Sequence, residues 1–215
     1  MEILVCVKQV PGTTEVEVDP VTGVLKRDGV ASKMNPYDLY AVELGLRLAE
    51  ATGGRLRALS MGPPQAKAVL LETAAMGAES GVLVSDRRLG GADVLATGYT
   101  LSQAVRTLGK VDLILCGKQT TDGDTAQVGA ERAEFLGLPH ANNVQSVEPD
   151  GEGYVKVRID LDSHISVQRL PLPCVMCIAS EVNTPRLPSY RRKKSLPHDC
   201  VKTISLDDFG DREPA

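Results

Sequence analysis

Short apolar, strand-like runs alternate with helical patterns through the first half of the chain, and this alternation constrains the fold more than any other feature. The strand-like runs are Ile3 to Val7, Leu56 to Ser60, Gly81 to Val84 and Val111 to Cys116. Between them, apolar residues recur at helical spacing in three groups: Tyr40, Leu44 and Leu48; Ala66, Leu70 and Ala74; and Leu95, Tyr99, Leu101 and Val105. The pattern predicts an α/β fold with a doubly wound, mainly parallel sheet. Ligands of such sheets bind at the carboxyl ends of the strands.

The second half of the chain has a different character. The segments Val144 to Val147, Tyr154 to Ile159 and Ile165 to Leu170 alternate like antiparallel strands, with a Gly-containing turn at residues 150–153. The insert from Thr13 to Ser32 is typical of a small hairpin. From Val182 onward periodicity is lost, which predicts an extended C-terminal arm. We therefore expect a nucleotide-binding α/β domain over residues 1–182, with a small antiparallel addition, and an arm for partner recognition and subunit contact over residues 183–215.

Composition excludes several classes of function. The net charge of -4 gives no general attraction to nucleic acid, and the absence of Trp argues against base stacking. No apolar run reaches the ~20 residues that span a bilayer, and no signal-peptide pattern follows Met1, so we expect a cytoplasmic protein without membrane insertion.

The five cysteines are expected to be reduced thiols, since their number is odd and no secretory signal is apparent. Cys174 and Cys177 form a CxxC motif, but their apolar neighbours predict a buried strand in which residues three apart point to opposite faces. We therefore interpret this motif as structural rather than as a zinc or redox site, and we expect no metal site.

Three loops should meet at the carboxyl edge of the sheet. In the first, Asn35 is suited to cap a helix that starts at Pro36, and Asp38 to accept amide hydrogen bonds in its first turn. Helix capping alone would explain this pattern. The second loop, residues 60–64, places Gly62 at a strand end, and Gly-Pro is also a common start of a helix.

The third loop has the sequence CGKQTTDGDTAQVG, residues 116–129, and follows a buried strand. Asp124 and Gln127 fit a capping box. Free amides at a helix start bind phosphate, whereas a carboxylate such as that of Asp122 prefers hydroxyl donors such as those of a ribose. The loop therefore predicts a nucleotide site without a Rossmann or P-loop fingerprint. Because hydrolase motifs are missing, a cofactor-binding subunit is favoured over a hydrolase.

Several motifs in this order resemble the beta subunit of electron transfer flavoproteins, whose fold is adenine-nucleotide-hydrolase-like. They are VKQVP at residues 7–11, MNPYD at 34–38, SMGP at 60–63, GKQ at 117–119, GDTAQVG at 123–129 and NTPR at 183–186. The resemblance implies a heterodimer with an alpha subunit that carries electrons between partners.

The family has two branches whose beta subunits bind different nucleotides, so the resemblance alone does not decide between AMP and FAD. In the common branch the beta subunit holds AMP as a structural ligand, and the pair passes electrons to a quinone-linked acceptor. In the electron-bifurcating branch it holds FAD that takes hydride from NADH, with an acyl-CoA dehydrogenase-type partner and ferredoxin or flavodoxin as acceptor. The segment from Ser85 to Thr97 resembles the bifurcating branch, with Ala92, Asp93 and Thr97 beside the flavin ring. A plain helix cap at Asp93 is the alternative.

The resemblance also assigns residues by position. For the adenosine pocket they are Cys6, Asn35, Asp38 and Met61. For ribose and phosphates they are Gly117, Gln119, Asp122, Gly123, Asp124, Thr125, Gln127, Val128 and Gly129. Leu187 and Pro188 resemble the arm that docks onto partner dehydrogenases, and the basic residues 191–194 are either a docking aid or a solvated charge run.

One departure from the family is the C-terminus. Family members usually continue for some tens of residues beyond the position of Ala215, in a helix that contacts the alpha subunit, so the resemblance implies a less complete assembly for this chain. A non-redox, adenine-nucleotide-binding regulatory module remains a further alternative, but such a module would not need a docking arm.

Overall fold

The computed structural model describes residues 1–12 and 32–210 of the chain. The hairpin predicted for Thr13 to Ser32 therefore lies, apart from Ser32, outside the described residues. The strands are β1 (Glu2–Cys6), β2 (Gln9–Pro11), β3 (Ser32–Met34), β4 (Arg55–Met61), β5 (Ser80–Val84), β6 (Leu113–Gly117), β7 (His140–Pro149), β8 (Tyr154–Asp160), β9 (Ile165–Pro171), β10 (Cys174–Ile178) and β11 (Val201–Ile204). The α-helices are α1 (Pro36–Thr52), α2 (Lys67–Met76), α3 (Val94–Thr107), α4 (Val128–Leu136) and α5 (Tyr190–Ser195).

One sheet organises the described part of the chain. Its strand order is β11-β5-β4-β1-β6-β10-β7-β8-β9, and the pairs from β11 to β7 are parallel. The β7–β8 and β8–β9 pairs are antiparallel and extend the same sheet beyond β7. A separate antiparallel pair joins β2 to β3. The predicted doubly wound, mainly parallel sheet with a small antiparallel addition is confirmed.

The strand order reverses on either side of β1. The chain passes from β1 to β4 on one side, whereas β6 follows only later and pairs with β1 on the other side. Because the connections after β1 and β6 leave in opposite directions, β1 and β6 flank a topological switch point, the place where doubly wound sheets generally bind ligands. The topology thus places the loop after β1 opposite the loop after β6.

Alternation along the central strands divides the core into two layers. On β1, Ile3 and Val5 belong to the layer under α1 and α2, whereas Leu4 belongs to the layer under α3 and α4. On β6, Leu115 joins the first layer and Ile114 the second. Because both faces are covered by helices, the strands are apolar almost without interruption, which is the pattern that made them recognisable.

The C-terminal segment is only partly the extended arm that we predicted. Residues 183–189 have no regular structure, but the chain then forms the short helix α5 and returns to the sheet as β11, which pairs with β5. Arg186 anchors the irregular part to α1 through Glu43 Oε2, at 2.8 Å, and Glu50 Oε1, at 2.6 Å. A strand of four residues with buried ends only, Val201 and Ile204, is too short to give a periodic signal.

No helix in residues 1–12 and 32–210 combines the length and apolar character needed to cross a bilayer.

Candidate functional site

Asn35 connects two of the three loops that were predicted to meet at the carboxyl edge. Its Nδ2 donates to Asp38 Oδ1 and to the backbone oxygen of Gln119, both at 2.9 Å. Asn35 occupies the cap position of α1, as predicted, but its side chain makes no cap hydrogen bond. Its amide instead ties the start of α1 to the loop after β6, while its fully buried Oδ1 finds no partner among the described residues.

Asp38 is a buried carboxyl group at the centre of this junction. Its Oδ2 accepts the backbone N–H of Lys8 at 2.7 Å, so it receives an amide from the loop after β1. The prediction that it would accept amides from its own first turn is therefore wrong. Burial raises the pKa of Asp38 to about 7, although the hydrogen bonds from Lys8 and Asn35 oppose this rise.

A salt bridge joins the loop after β1 to the loop after β6. Lys8 Nζ lies 2.7 Å from Asp122 Oδ1. Burial acts to raise the pKa of Asp122, but the hydrogen bond and charge of Lys8 outweigh it and hold the pKa below its ordinary value. Asp122 is thus an ionised acceptor with one oxygen on Lys8, and it retains lone pairs for a further donor.

The turn before α4 differs from the predicted capping box. The helix begins at Val128, and Gln127 occupies the cap position without a side-chain hydrogen bond. Asp124 and Ala126 have positive φ values of 48° and 54°. In this conformation Asp124 does not cap the helix, so the prediction of a capping box is wrong. Since the first-turn amides of a helix have no intrahelical partner, the start of α4 keeps free donors.

Two glycines permit close packing around this turn. A Cβ on Gly117 would lie 2.7 Å from the backbone carbon of Tyr37, so only glycine lets β6 pass this close to α1. A Cβ on Gly129 would collide with the sulfur of Cys177 and lie 2.9 Å from that of Cys116. At both positions of the predicted site, close packing therefore requires glycine.

The predicted flavin segment forms the start of α3. Asp93 is the helix cap, since its Oδ1 accepts the Ala96 N–H at 2.8 Å, which is the alternative that the sequence left open. Ala92 and Thr97 are half-buried beside it. A Cβ on Gly98 would lie 3.1 Å from Glu131 Cβ, so this end of α3 packs directly on α4.

The other predicted residues divide between two places. Cys6 and Met61 end β1 and β4 on the layer under α3 and α4, and both are half-buried. On the turn before α4, the predicted residues Gly123, Asp124, Thr125 and Gln127 are exposed. Leu187, 87% exposed, and Pro188 lie on the anchored arm instead. The structure thus places the residues predicted for the nucleotide at one edge of the sheet and those predicted for docking on a separate surface.

A buried arginine at this edge was missed by the sequence reasoning. Arg132 on α4 is 1% exposed, and its Nη1 donates to Cys6 Sγ at 2.6 Å. Its Nε and Nη2 have no partner among the described residues. The available signal was its position one turn after Val128 and beside Ala133, on the face of α4 that must cover the sheet.

Ser60 adds another unpartnered polar group at the carboxyl end of β4. The residue is 1% exposed, and its Oγ makes no hydrogen bond within residues 1–12 and 32–210. Buried polar atoms are normally paired, and a group of unpaired ones at one sheet edge is typical of a site that a ligand completes.

Comparison with known proteins places the chain among flavoproteins. The family model described as "Electron transfer flavoprotein domain" matches residues 22–199. Over 209 residues the chain is 45% identical to electron transfer flavoprotein subunit beta of Clostridium acetobutylicum, covering 97% of this chain and 80% of the relative. It is 43% identical over 187 residues to the caffeyl-CoA reductase-Etf complex subunit CarD of Acetobacterium woodii, covering 86% and 71% of the two chains. It is 42% identical over 190 residues to the acryloyl-CoA reductase electron transfer subunit gamma of Anaerotignum propionicum, covering 86% and 70%.

Proposed function

The chain belongs to the electron transfer flavoprotein beta-subunit family, and we propose that it binds FAD at the carboxyl edge of its sheet and takes electrons from NADH. In this proposal it works as one half of a heterodimer with an alpha subunit. Electrons pass to the alpha-subunit flavin, which serves an acyl-CoA dehydrogenase-type partner, and to a low-potential acceptor such as ferredoxin.

The observation that carries the nucleotide part of the proposal is the junction between β1, α1 and β6. The buried Oδ1 of Asn35 and Oγ of Ser60 have no partner in the described part of the chain. Leaving a buried polar group unpaired costs about 1 to 3 kcal/mol, so a ligand that offers donors here recovers that free energy. Adenine and ribose both offer such donors.

The residues around this junction suit the parts of a dinucleotide. The free first-turn amides of α4 and the positive end of its dipole favour phosphate. Asp122, held in place by Lys8 at 2.7 Å, accepts a ribose hydroxyl. These contacts bind and orient the cofactor, and the bound flavin supplies the redox chemistry.

The start of α3 decides where the flavin ring lies in this proposal. Gly90, Gly91 and Ala92 present little side-chain volume before the helix, and Gly98 brings α3 against α4. A ring placed here would lie along half-buried Thr97. Two of the relatives carry names of acyl-CoA reductase systems, caffeyl-CoA and acryloyl-CoA. Their names support an acyl-CoA-linked role for this chain as well.

AMP is the second candidate ligand, and one observation favours it. The carboxylate of Asp93 already caps α3 through the Ala96 amide. Helix capping alone therefore explains an aspartate at this position, without a flavin beside it. In that case the subunit would hold AMP for structural purposes, and the pair would carry electrons from dehydrogenases to a quinone-linked acceptor.

Ligand extraction from the assembled heterodimer separates the two candidates. The full chain is co-expressed with its alpha partner, the complex is denatured, and the released nucleotides are identified by mass and counted by chromatography. Two FAD and no AMP per heterodimer is the expected result. One FAD with one AMP would refute FAD binding by this subunit, and no nucleotide beyond one FAD would refute the site itself.

A further inference from the structure

Three cysteine sulfurs surround the guanidinium of Arg132 beneath α4. Cys6, Cys116 and Cys177 end the neighbouring strands β1, β6 and β10, and they are register partners: Cys6 pairs with Cys116, and Cys116 with Cys177. Because each lies an even number of residues from a side chain of the layer under α3 and α4, all three face Arg132. The Sγ atoms of Cys116 and Cys177 are 3.4 Å apart.

The charge of Arg132 has no carboxylate partner within the described residues. An arginine cannot lose its proton in a protein, and an uncompensated buried charge is costly. The acidic groups that face the guanidinium of Arg132 are the three thiols. Asp38, on α1, interacts electrostatically with Cys116 from the other face of the sheet. A thiolate among the cysteines would compensate the guanidinium, and a cation at this place would be repelled by it.

Cys116 is the thiol best placed to ionise. The hydrogen bond with Cys177 holds the pKa of Cys116 below its ordinary value against the effect of burial, and the charge of Arg132 adds to this lowering. Burial instead raises the pKa of Cys6 to about 11, although Arg132 opposes this. The first turn of α4 also lies on Cys116, at Gly129, and helix N-termini stabilise thiolates.

We propose that Cys116 and Cys177 form an oxidisable dithiol beneath the first turn of α4, in which Arg132 holds Cys116 as the reactive thiolate. The oxidant is hydrogen peroxide. The Cys116 thiolate attacks the peroxide oxygen, forming an S–O bond while the O–O bond breaks and releases hydroxide. The Cys177 thiol then attacks the Cys116 sulfur, releasing the sulfenic oxygen and the thiol proton as water. The net change turns two thiols and one peroxide into a disulfide and two waters.

The backbone geometry admits this bond. Directly paired residues on adjacent strands have Cα atoms about 4.8 Å apart, inside the range of about 4.4 to 6.8 Å found for disulfides. The sulfurs must approach from 3.4 Å to about 2.0 Å, which small side-chain rotations achieve. Cys116 is half-buried and Cys177 is almost fully buried, so Cys116 is the more accessible of the two and Cys177 acts as the resolving thiol.

The bond would form directly under the proposed phosphate-binding turn. Gly129 leaves no space between α4 and the two sulfurs. A rearrangement of the pair therefore moves the first turn of the helix, whose amides bind phosphate in the proposed function. The oxidation itself does not depend on a bound nucleotide, so it is testable on the chain alone.

The test uses the full chain, fully reduced and then exposed to hydrogen peroxide near neutral pH. Remaining thiols are blocked with N-ethylmaleimide at intervals, and peptide mapping by mass spectrometry locates the disulfide. We expect a Cys116–Cys177 bond to form first while Cys174, which lies on the other face of β10, stays reduced. The proposal would be overturned if a different disulfide formed first, or if the free thiol of Cys174 disappeared as fast as the Cys116–Cys177 disulfide formed.

Variants separate the roles of the three residues. Cys177→Ser should stop at a sulfenic acid on Cys116 that dimedone traps, and the absence of this adduct would contradict the assigned attack. Arg132→Gln should slow peroxide oxidation about tenfold, whereas Arg132→Lys keeps the charge and most of the rate. Equal oxidation rates in the two variants would show that the charge of Arg132 does not stabilise the Cys116 thiolate.

A measurement on the unmodified protein guards against variants that fail to fold. The rate of alkylation of Cys116 by iodoacetamide is followed as the pH is raised, with peptide mapping to identify the site. The half-maximal rate is expected below the ordinary pKa of a thiol, which is about 8.5. A midpoint at or above that ordinary value would refute the thiolate.

Discussion

Raising the pH should destabilise the nucleotide-free chain through Asp38. This carboxyl group is 5% exposed, and burial is the largest cause of its raised pKa. The folded protein therefore keeps the proton of Asp38 to a higher pH than the unfolded chain does. The resulting contribution to stability is fully present below the unfolded pKa and is lost as the pH rises through the folded pKa.

The magnitude follows from the two pKa values. The pKa of Asp38 rises from 3.8 to about 7 on folding. Since each tenfold change in proton affinity corresponds to about 1.4 kcal/mol, the free energy of unfolding should fall by about 4 kcal/mol between these pH values. This change is a large fraction of the stability of an ordinary domain.

Urea unfolding followed by far-UV circular dichroism measures this loss at about pH 5, 6, 7 and 8. Asp38→Asn removes the titrating group while keeping its shape, so the difference between variant and wild type isolates Asp38 from the other acids. The wild type should lose stability relative to Asp38→Asn as the pH rises. Asp122→Asn is the control with the opposite sign, because its pKa is lowered on folding and its contribution is lost as the pH falls. Parallel curves for wild type and Asp38→Asn would refute the reasoning about burial.

Other substitutions test the packing, the ligand contact and the docking surface. Gly117→Ala should lower the free energy of unfolding in urea by about 1 to 3 kcal/mol, because its Cβ would lie 2.7 Å from the backbone of α1. The control Gly123→Ala, whose Cβ would have its nearest atom 3.8 Å away, should change that free energy by less than about 0.5 kcal/mol. Equal losses of stability in the two variants would contradict this reasoning. Asp122→Ala should weaken nucleotide retention by ~1 to 3 kcal/mol in a dissociation-rate measurement, and an unchanged rate would remove Asp122 from the site. Leu187→Ala, at a side chain 87% exposed, should leave the urea midpoint unchanged but slow electron transfer to the partner dehydrogenase; unchanged transfer would exclude Leu187 from docking.

The parallel sheet and the location of the site could be predicted from the sequence. Strands buried on both faces have unbroken apolar sequences. The predicted run from Ile3 to Val7 corresponds to β1, and the run from Val111 to Cys116 corresponds to β6. Parallel strands deliver their following loops to one edge, so Asn35, Asp38 and Asp122 were expected together, and the structure connects the loops that carry them.

Local details at the same edge could not be predicted because tertiary contacts override local propensity. Asn35 and Asp38 are good helix-start residues, yet neither side chain accepts a first-turn amide, and both bond to neighbouring loops. Asp124 fits a capping box by spacing, but a backbone with positive φ moves it away from the helix start. The position of Arg132 on the covering face of α4 could be inferred from the sequence, but nothing in its own neighbourhood shows that three cysteine-bearing strand ends meet beneath it.

Hydrogen–deuterium exchange of the full chain with and without FAD tests the central claim most directly, because it locates the bound nucleotide. Protection is expected in peptides covering residues 34–38, 90–98 and 117–130, which carry most of the residues predicted to hold the nucleotide. Peptides covering β8 and β9 serve as the internal control and should exchange at the same rate in both samples. Protection confined to β8 and β9, or no change in residues 117–130, would contradict a nucleotide site at the carboxyl edge of the sheet.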